Sequence, residues 1–454
     1  MHIAIIHSKF ATLFIVWYIR MKNVSFTSIP NNKWIYPIFL IVCAFAAYYP
    51  VLGNDFQNLW DDQFLVINGY TESGWNAYNI RAIFTDFYSG QYAPLNELLY
   101  VAIYSLCGYS PFWFHLANLL LHIANALLVY LCIRRLLELS GKISVEHKEL
   151  ITFITALLFT LQPLNVEPVA WITASKILLS SFYYLLATYT FLSYLKHGKL
   201  KYYFFTLFLF ICSFLSKEHA VSFPFWLLLI YWITGRRLKD RKVWLAVTPF
   251  LLLTLLFGIV ASFSQTGGIV LFNKADYPLW QRLVFACYSF TEYLLKSAFP
   301  FKLLYLYPFP SVAGDPLPQW LLLYPTLLTV FLIALWKQIV TNKAILAGLL
   351  FFLIHIAIVL HIVPLPRFYV VADRYMYLAY IGFGFALAYY GMYFLRKWKD
   401  YRRTGLIVAF SVYLLYFGVY TNIRCRVWHD TDSLKKEIRE LLKERNDYEL
   451  KIKN

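Results

Sequence analysis

Long apolar stretches, each closed by a cluster of lysines and arginines or by a polar aromatic loop, set the pattern of this chain. A membrane-crossing helix needs about 20 mainly apolar residues at a rise of about 1.5 Å each. About eleven segments meet or approach that length: 34–52, 111–135, 150–163, 174–195, 202–215, 220–234, 243–262, 319–336, 344–363, 375–395 and 405–421. The shorter ones need their polar flanks to complete a crossing. The pattern predicts an all-α polytopic membrane protein whose transmembrane domain occupies 34–421. An N-terminal cytoplasmic or interfacial segment, 1–33, precedes it. A charged outer-side helix, 422–454, follows, with Leu434, Ile438, Leu441 and Leu442 at helical spacing. His7, Ser8 and Lys9 interrupt the first apolar stretch, which has no small-residue cleavage site and is not read as a signal peptide.

The net charge of +17, from 41 Lys and Arg against 24 Asp and Glu, would suggest nucleic acid as the partner of a soluble protein. Here 60% of the residues are hydrophobic and only 14% charged, against about 25% in an average soluble domain, so the solvent is a bilayer. The cations gather at Arg134/Arg135, at Lys196/Lys199/Lys201, between Arg236 and Lys242, at Lys337/Lys343 and between Arg396 and Arg403. With the N-terminus in the cytoplasm all of these lie inside, as the positive-inside rule requires, and nucleic acid drops out as a partner. That orientation holds if 280–299, with Arg282, Glu292 and Lys296, is an amphipathic helix on the outer surface. Cysteines fall mostly inside apolar runs and show neither a disulfide framework nor zinc-site spacing.

Two long outer loops result, 53–110 and 263–318. The first carries Asp55, Asp61, Asp62, Glu72, Asp86 and Glu97 against one cation, Arg81. An acidic outer loop in a basic protein is a local exception. The adjacent pair Asp61 and Asp62 reads either as a turn or as a catalytic base at the membrane surface. Few cations are expected in short outer loops, yet Lys176, Lys217, His219, Arg367 and Arg374 all fall there. Singly each reads as a snorkelling side chain; together they form a ring able to hold a phosphate. His115, Asn118, His122 and Asn125 share one face of the second apolar helix, either as interhelical hydrogen bonds or as cavity lining. Glu167 lies in an outer turn framed by Pro163 and Pro168, as a turn residue or aimed at the cavity beside Glu218.

In order along the chain stand Trp60-Asp61-Asp62 with Asn68, Tyr92-Ala93-Pro94-Leu95, His115-Leu116-Ala117-Asn118-Leu119-Leu120-Leu121-His122, Pro163-Leu164-Asn165-Val166-Glu167-Pro168-Val169-Ala170-Trp171-Ile172, Ser216-Lys217-Glu218 and Ala372-Asp373-Arg374-Tyr375-Met376-Tyr377-Leu378. Over about 50–430 this series resembles the membrane part of the transmembrane and tetratricopeptide-repeat O-mannosyltransferases and their bacterial relatives, within the GT-C class of polytopic glycosyltransferases. Gln162 stands where those relatives commonly have His, and Ser175 and Ile177 flank Lys176 in place of a frequent Arg-Lys-Asp run.

The resemblance implies a GT-C-like bundle with outer-surface interfacial helices in the first and fourth outer loops. It also implies an enzyme that transfers a sugar, such as a mannose-like hexose, from a polyprenyl-phosphate-linked donor to a hydroxyl of a protein, glycan or lipid acceptor on the outer face. Asp61 and Asp62 take the catalytic place. As a mechanism, Lys217, His219, Arg374 and Lys176 hold the donor phosphate, an Asp base gives inversion, and a divalent metal is an open addition. The expected setting is a bacterial inner membrane. Two other readings compete: a lipid-linked oligosaccharide flippase, and an O-antigen-type polymerase or ligase that would depend on Arg367.

Overall fold

In the computed structural model the described residues are 34–58, 60–88, 90–140, 147–267, 277–362 and 369–443. The expected segment 1–33 and Arg367 lie outside them. Every other predicted apolar run coincides with a helix. In chain order these are α1 (Ile35–Tyr48), then the loop helices α2 (Asp61–Leu65), α3 (Gly69–Ser73), α4 (Ala77–Thr85) and α5 (Pro94–Cys107). Next come α6 (Pro111–Leu139), α7 (Lys148–Leu161), α8 (Val166–Ala170), α9 (Ser175–His197), α10 (Leu200–Ser216), α11 (Phe223–Ile233) and α12 (Arg241–Gly267). The last are α13 (Leu279–Ala298), α14 (Leu323–Thr341), α15 (Lys343–Ile356), α16 (Met376–Lys397), α17 (Asp400–Val427) and α18 (Thr431–Lys443).

Among the described residues, seven helices are long and apolar enough to cross a membrane by themselves. One further span is the pair Lys148–Leu161 and Pro163–Ala170, bent by 51°, and three apolar helices around 200–216, 218–233 and 343–359 are shorter. The protein is therefore a multi-pass membrane protein, and a total of eleven crossings is a proposal that includes these shorter helices. Helix α13 forms where the amphipathic segment was expected.

The interior is held by apolar packing and by polar bonds across helices. His122 Nδ1 lies 2.9 Å from the Tyr377 hydroxyl and its Nε2 lies 3.2 Å from the Thr160 carbonyl, so α6, α16 and α7 meet at one imidazole. Asn125 donates to Leu178 O and to the Tyr377 hydroxyl. Ser180 and Ser213 bond across α9 and α10. Helices α15 and α16 cross at Gly348 and Gly382, where a Cβ on Gly348 would stand 2.6 Å from the Gly382 carbonyl oxygen. Only small residues allow backbones that close. Helix α14 buries none of its residues and presents Leu327, Val330, Ile333 and Trp336 outward, as a lipid-facing helix does.

Two devices position the end of the bundle that carries the acidic loop 53–110. Pro163 and Pro168 have no N–H to donate and interrupt the helix after Leu161, so the chain turns through Gln162 and places Glu167 in the protein interior. The first outer loop is clasped by the end of α17: Asn54 donates to Cys425 O at 3.0 Å, Gln57 to Trp428 O at 2.9 Å, and the Asp55 N–H to His429 O at 2.8 Å. A short antiparallel pairing of Tyr307–Pro308 with Tyr369–Val371 ties the second outer loop to the segment before α16. Period-2 alternation is absent from such short strands, so the apolar pattern held no sign of it.

Candidate functional site

A cavity of about 220 Å³ opens at the end of the bundle that carries the acidic loop. Four separate stretches bring charge to it: Asp61 from the first turn of α2, Lys176 from the first turn of α9, Lys217 and Glu218 from the break after α10, and Arg374 from the turn before α16. Gln91, Tyr92, Trp171, Tyr369 and Tyr375 complete the polar and aromatic wall, and Phe214, Phe257 and Ala261 form the apolar side. The cations sit at helix beginnings and ends because an apolar helix interior gives them no water, whereas its outer rim does.

Arg374 is the most constrained of them. Its backbone N–H donates to Glu167 Oε2 at 2.8 Å and its guanidinium binds Glu167 Oε1. The guanidinium carbon also lies 4.7 Å from the Tyr369 ring centre, 5.2 Å from Tyr375 and 5.5 Å from Trp171. A planar cation boxed by three rings and one carboxylate keeps its orientation. Lys176 Nζ is held by the side-chain oxygen of Gln91 and lies within electrostatic reach of Lys217, Asp61, Glu218 and Arg374. Lys217 Nζ pairs with Glu218 at 3.3 Å. The buried indole Nε1 of Trp171, which lines the cavity, has no partner among the described residues.

The two adjacent aspartates separate. Asp61 is half-buried and lines the cavity. Asp62 is fully buried and does not: Oδ2 accepts from the Gln57 N–H at 2.9 Å, while Oδ1 accepts from the Thr173 N–H at 2.9 Å and from the Thr173 hydroxyl. Burial pushes the Asp62 carboxyl up to about 6, against the three hydrogen bonds that lower it. These bonds join the loop 53–110 to the entry of α9, and Asp62 stands outside the cavity wall that Asp61 lines.

Of the residues expected to line the cavity, Glu218 does so. Glu167 lies behind the wall as the counter-ion of Arg374. His115 lies against the Asn54–Asp55 backbone, Asn118 donates to Val169 O and Trp171 O, and His122 bonds within the helix interior described above. Asn118 and His122 hold helices together because a buried polar group needs a partner, and backbone carbonyls freed at the breaks around Gln162 and Trp171 supply it, whereas neither ring nitrogen of His115 has a hydrogen-bond partner among the described residues. His219 is not part of the wall either; its ring stands edge-on to Tyr375 at 5.3 Å.

Sequence reasoning passed over Gln91, Tyr369 and Trp428, and quoted Tyr375 without giving it a role. Trp428 is buried, stacked on Trp171 at 5.9 Å and set edge-on to Tyr305. It lies in the tail read as a solvated helix, and a lone tryptophan just past an arginine-rich helix end was the available signal. Glu97 borders a smaller neighbouring cavity with Asp86, Gln91 and Lys176, and burial pushes its carboxyl up to about 7. Among the described residues no three His, Cys, Asp or Glu side chains gather as a metal site.

No protein-family model matches the chain, and no solved structure matches it significantly. Part of it is similar to the protein O-mannosyl-transferase TMTC1 of human and of mouse, 35% identical to each over 104 residues. That segment is 23% of this chain and spans about a tenth, 10%, of the relatives it matches. A multi-pass membrane protein with partial similarity to an O-mannosyltransferase fits a membrane glycosyltransferase.

Proposed function

We propose that the chain transfers a sugar from a polyprenyl-phosphate-linked donor to a hydroxyl acceptor at the outer membrane face, with inversion. The observation that carries this reading is a carboxylate, Asp61, sharing a cavity with three cations, Lys176, Lys217 and Arg374, of which Lys217 is paired with the wall's second carboxylate, Glu218. A phosphate ester needs its departing charge neutralised, and fixed cations in a partly dry cavity do so without a strong acid. Arg374 offers two parallel N–H donors and the lysines offer point charges. The apolar side formed by Phe214, Phe257 and Ala261 leads to α12, whose Leu252, Leu255 and Ile259 face outward, a route for an isoprenoid tail lying in the bilayer.

In the step, the acceptor oxygen bonds to the anomeric carbon as the bond from that carbon to the phosphate oxygen breaks. The electron pair leaves with polyprenyl phosphate, and the hydroxyl proton passes to Asp61. Asp62 keeps α2 in place and Glu167 keeps Arg374 in place. A mannose-like hexose as the sugar, and a GT-C-like bundle with its N-terminus inside, rest on the resemblance and on the charge pattern; the protein, glycan or lipid nature of the acceptor follows only from the same class. A divalent metal would have to be held by Asp61 and Glu218 with water or substrate oxygens, as these are the carboxylates of the wall.

The test reconstitutes the full chain in liposomes with undecaprenyl- and dolichyl-phosphate mannose carrying labelled sugar, and follows label into a hydroxyl acceptor pool extracted from the host. Transfer by the native chain and its loss in Asp61→Asn is the expected result. Movement of labelled lipid across the bilayer with no glycosidic product would replace this reading by a transporter.

A further inference from the structure

Helix α9 carries Lys176 at one end and Tyr194 near the other, 18 residues on, which is about 27 Å of helix. That length is close to the roughly 30 Å hydrocarbon thickness of a bilayer, so the two ends of α9 reach opposite membrane faces. At the Tyr194 end lies a second cavity, about 650 Å³, bounded by Arg236, Arg237, Lys239 and Lys242 with Tyr194 and Tyr231. The candidate catalytic site contains none of these residues.

This cleft is built rather than frayed. The chain leaves α11 through Thr234 and Gly235 (φ 79°), and the Arg236 N–H returns to the Tyr231 carbonyl at 3.0 Å. Asp240 is the one acid in the wall, and its side chain is taken by the Lys242 N–H at 3.0 Å. Among the described residues none of Arg236, Arg237, Lys239 and Lys242 enters an ion pair. Four cations around one cavity against a single acid, Asp240, leave a net positive field. Beside them Leu245, Leu238 and Trp244 are exposed, and the Trp244 indole donates to Leu238 O at 2.8 Å. Exposed leucines next to a hydrogen-bonded tryptophan are the composition of a membrane interface.

We propose that this cleft binds the phosphate-bearing head group of an anionic glycerophospholipid of the leaflet opposite the sugar-transfer cavity. The cations take the head group, and the acyl chains run along the outward leucines of α12. Free phosphate shares the head-group chemistry; the apolar border favours the lipid, because a soluble anion gains nothing from it.

Native mass spectrometry of the full chain in neutral detergent tests this, with dioleoyl phosphatidylglycerol, dioleoyl phosphatidylcholine or inorganic phosphate added. The expected result is a retained phosphatidylglycerol adduct that neither phosphatidylcholine nor inorganic phosphate produces. Arg236→Gln with Arg237→Gln should bind it about 25-fold more weakly, at about fivefold per cation near a lipid surface. Lys397→Gln with Lys399→Gln, which neutralises another basic cluster, should leave the adduct unchanged, and Arg236→Lys with Arg237→Lys should retain most of it. Equal weakening by both neutralised pairs, an equal adduct with phosphatidylcholine, or displacement by inorganic phosphate at matched concentration would overturn the proposal. None of these outcomes depends on sugar transfer.

Discussion

Glu167 holds Arg374 twice, through the backbone N–H at 2.8 Å and through the guanidinium, although the two residues are 207 positions apart. The carboxylate is nearly inaccessible and the arginine mostly so, with side-chain exposures of 3% and 13%. Removing one partner of such a pair leaves a buried charge uncompensated, at a cost of about 3–5 kcal/mol. Glu167→Gln is therefore expected to lower the thermal unfolding midpoint in detergent and to raise the donor KM. Glu167→Asp should recover part of both. An unchanged unfolding midpoint in the Gln variant would show that the pair does not hold this part of the fold.

Replacing each of the adjacent aspartates separates their roles. Asp61→Asn should reduce sugar transfer by about 10²- to 10⁴-fold, the usual contribution of a general base, with an unchanged unfolding midpoint. Asp62→Asn keeps one acceptor oxygen but turns an NH2 group toward donors, leaving a buried N–H unpaired at about 1–3 kcal/mol. Its melting should fall first, with activity following the amount of folded protein. Transfer assays normalised to folded chain decide between the two patterns.

Stability should also depend on pH through Asp62. Its carboxyl is raised from an ordinary 3.8 to about 6 by burial, so the protonated form is favoured in the fold relative to the unfolded chain. The contribution of this group is fully present below pH 3.8 and is lost as pH rises through about 6. Melting curves between these limits should show a downward component with rising pH that is missing in Asp62→Asn. An identical pH profile in both chains would place the titration elsewhere.

Gly382 tests the helix crossing rather than the chemistry. A valine there has no room against the Gly348 backbone, and overpacking of this kind costs about 1–3 kcal/mol. Gly382→Val should lower the melting midpoint, while Gly391→Val on the same helix, with open space around its Cβ position, should be milder. Thermal unfolding of both variants in the same detergent measures the difference.

The helices were legible because lipid imposes one long apolar run per crossing. Asp61, Lys176, Lys217, Glu218 and Arg374 were legible because charges at the outer rim are exceptions to a simple rule. The His115–Asn118–His122 face was visible as polar, but its purpose was hidden: the carbonyls that Asn118 and His122 satisfy are freed by the breaks around Gln162 and Trp171, neither of which is periodic. Asp61 and Asp62 are indistinguishable as letters, and only the turn of α2 sends one side chain to the cavity and the other to Thr173. Tyr369 and Tyr375 stand out among 37 tyrosines only once Arg374 is seen to lie close to both rings.

The clasp of the first outer loop onto the end of α17 has a consequence for synthesis. Asn54 and Gln57 each bond a residue 371 positions later, Cys425 and Trp428. On the ribosome the loop that presents Asp61 is made long before its fastening, which waits until Cys425 and Trp428 have been produced. A chain cut short before Cys425 would retain most of its membrane helices and still lack the fastening of that loop. Transfer activity should therefore arise only once the stretch from Cys425 to His429 has been made and has closed on the loop.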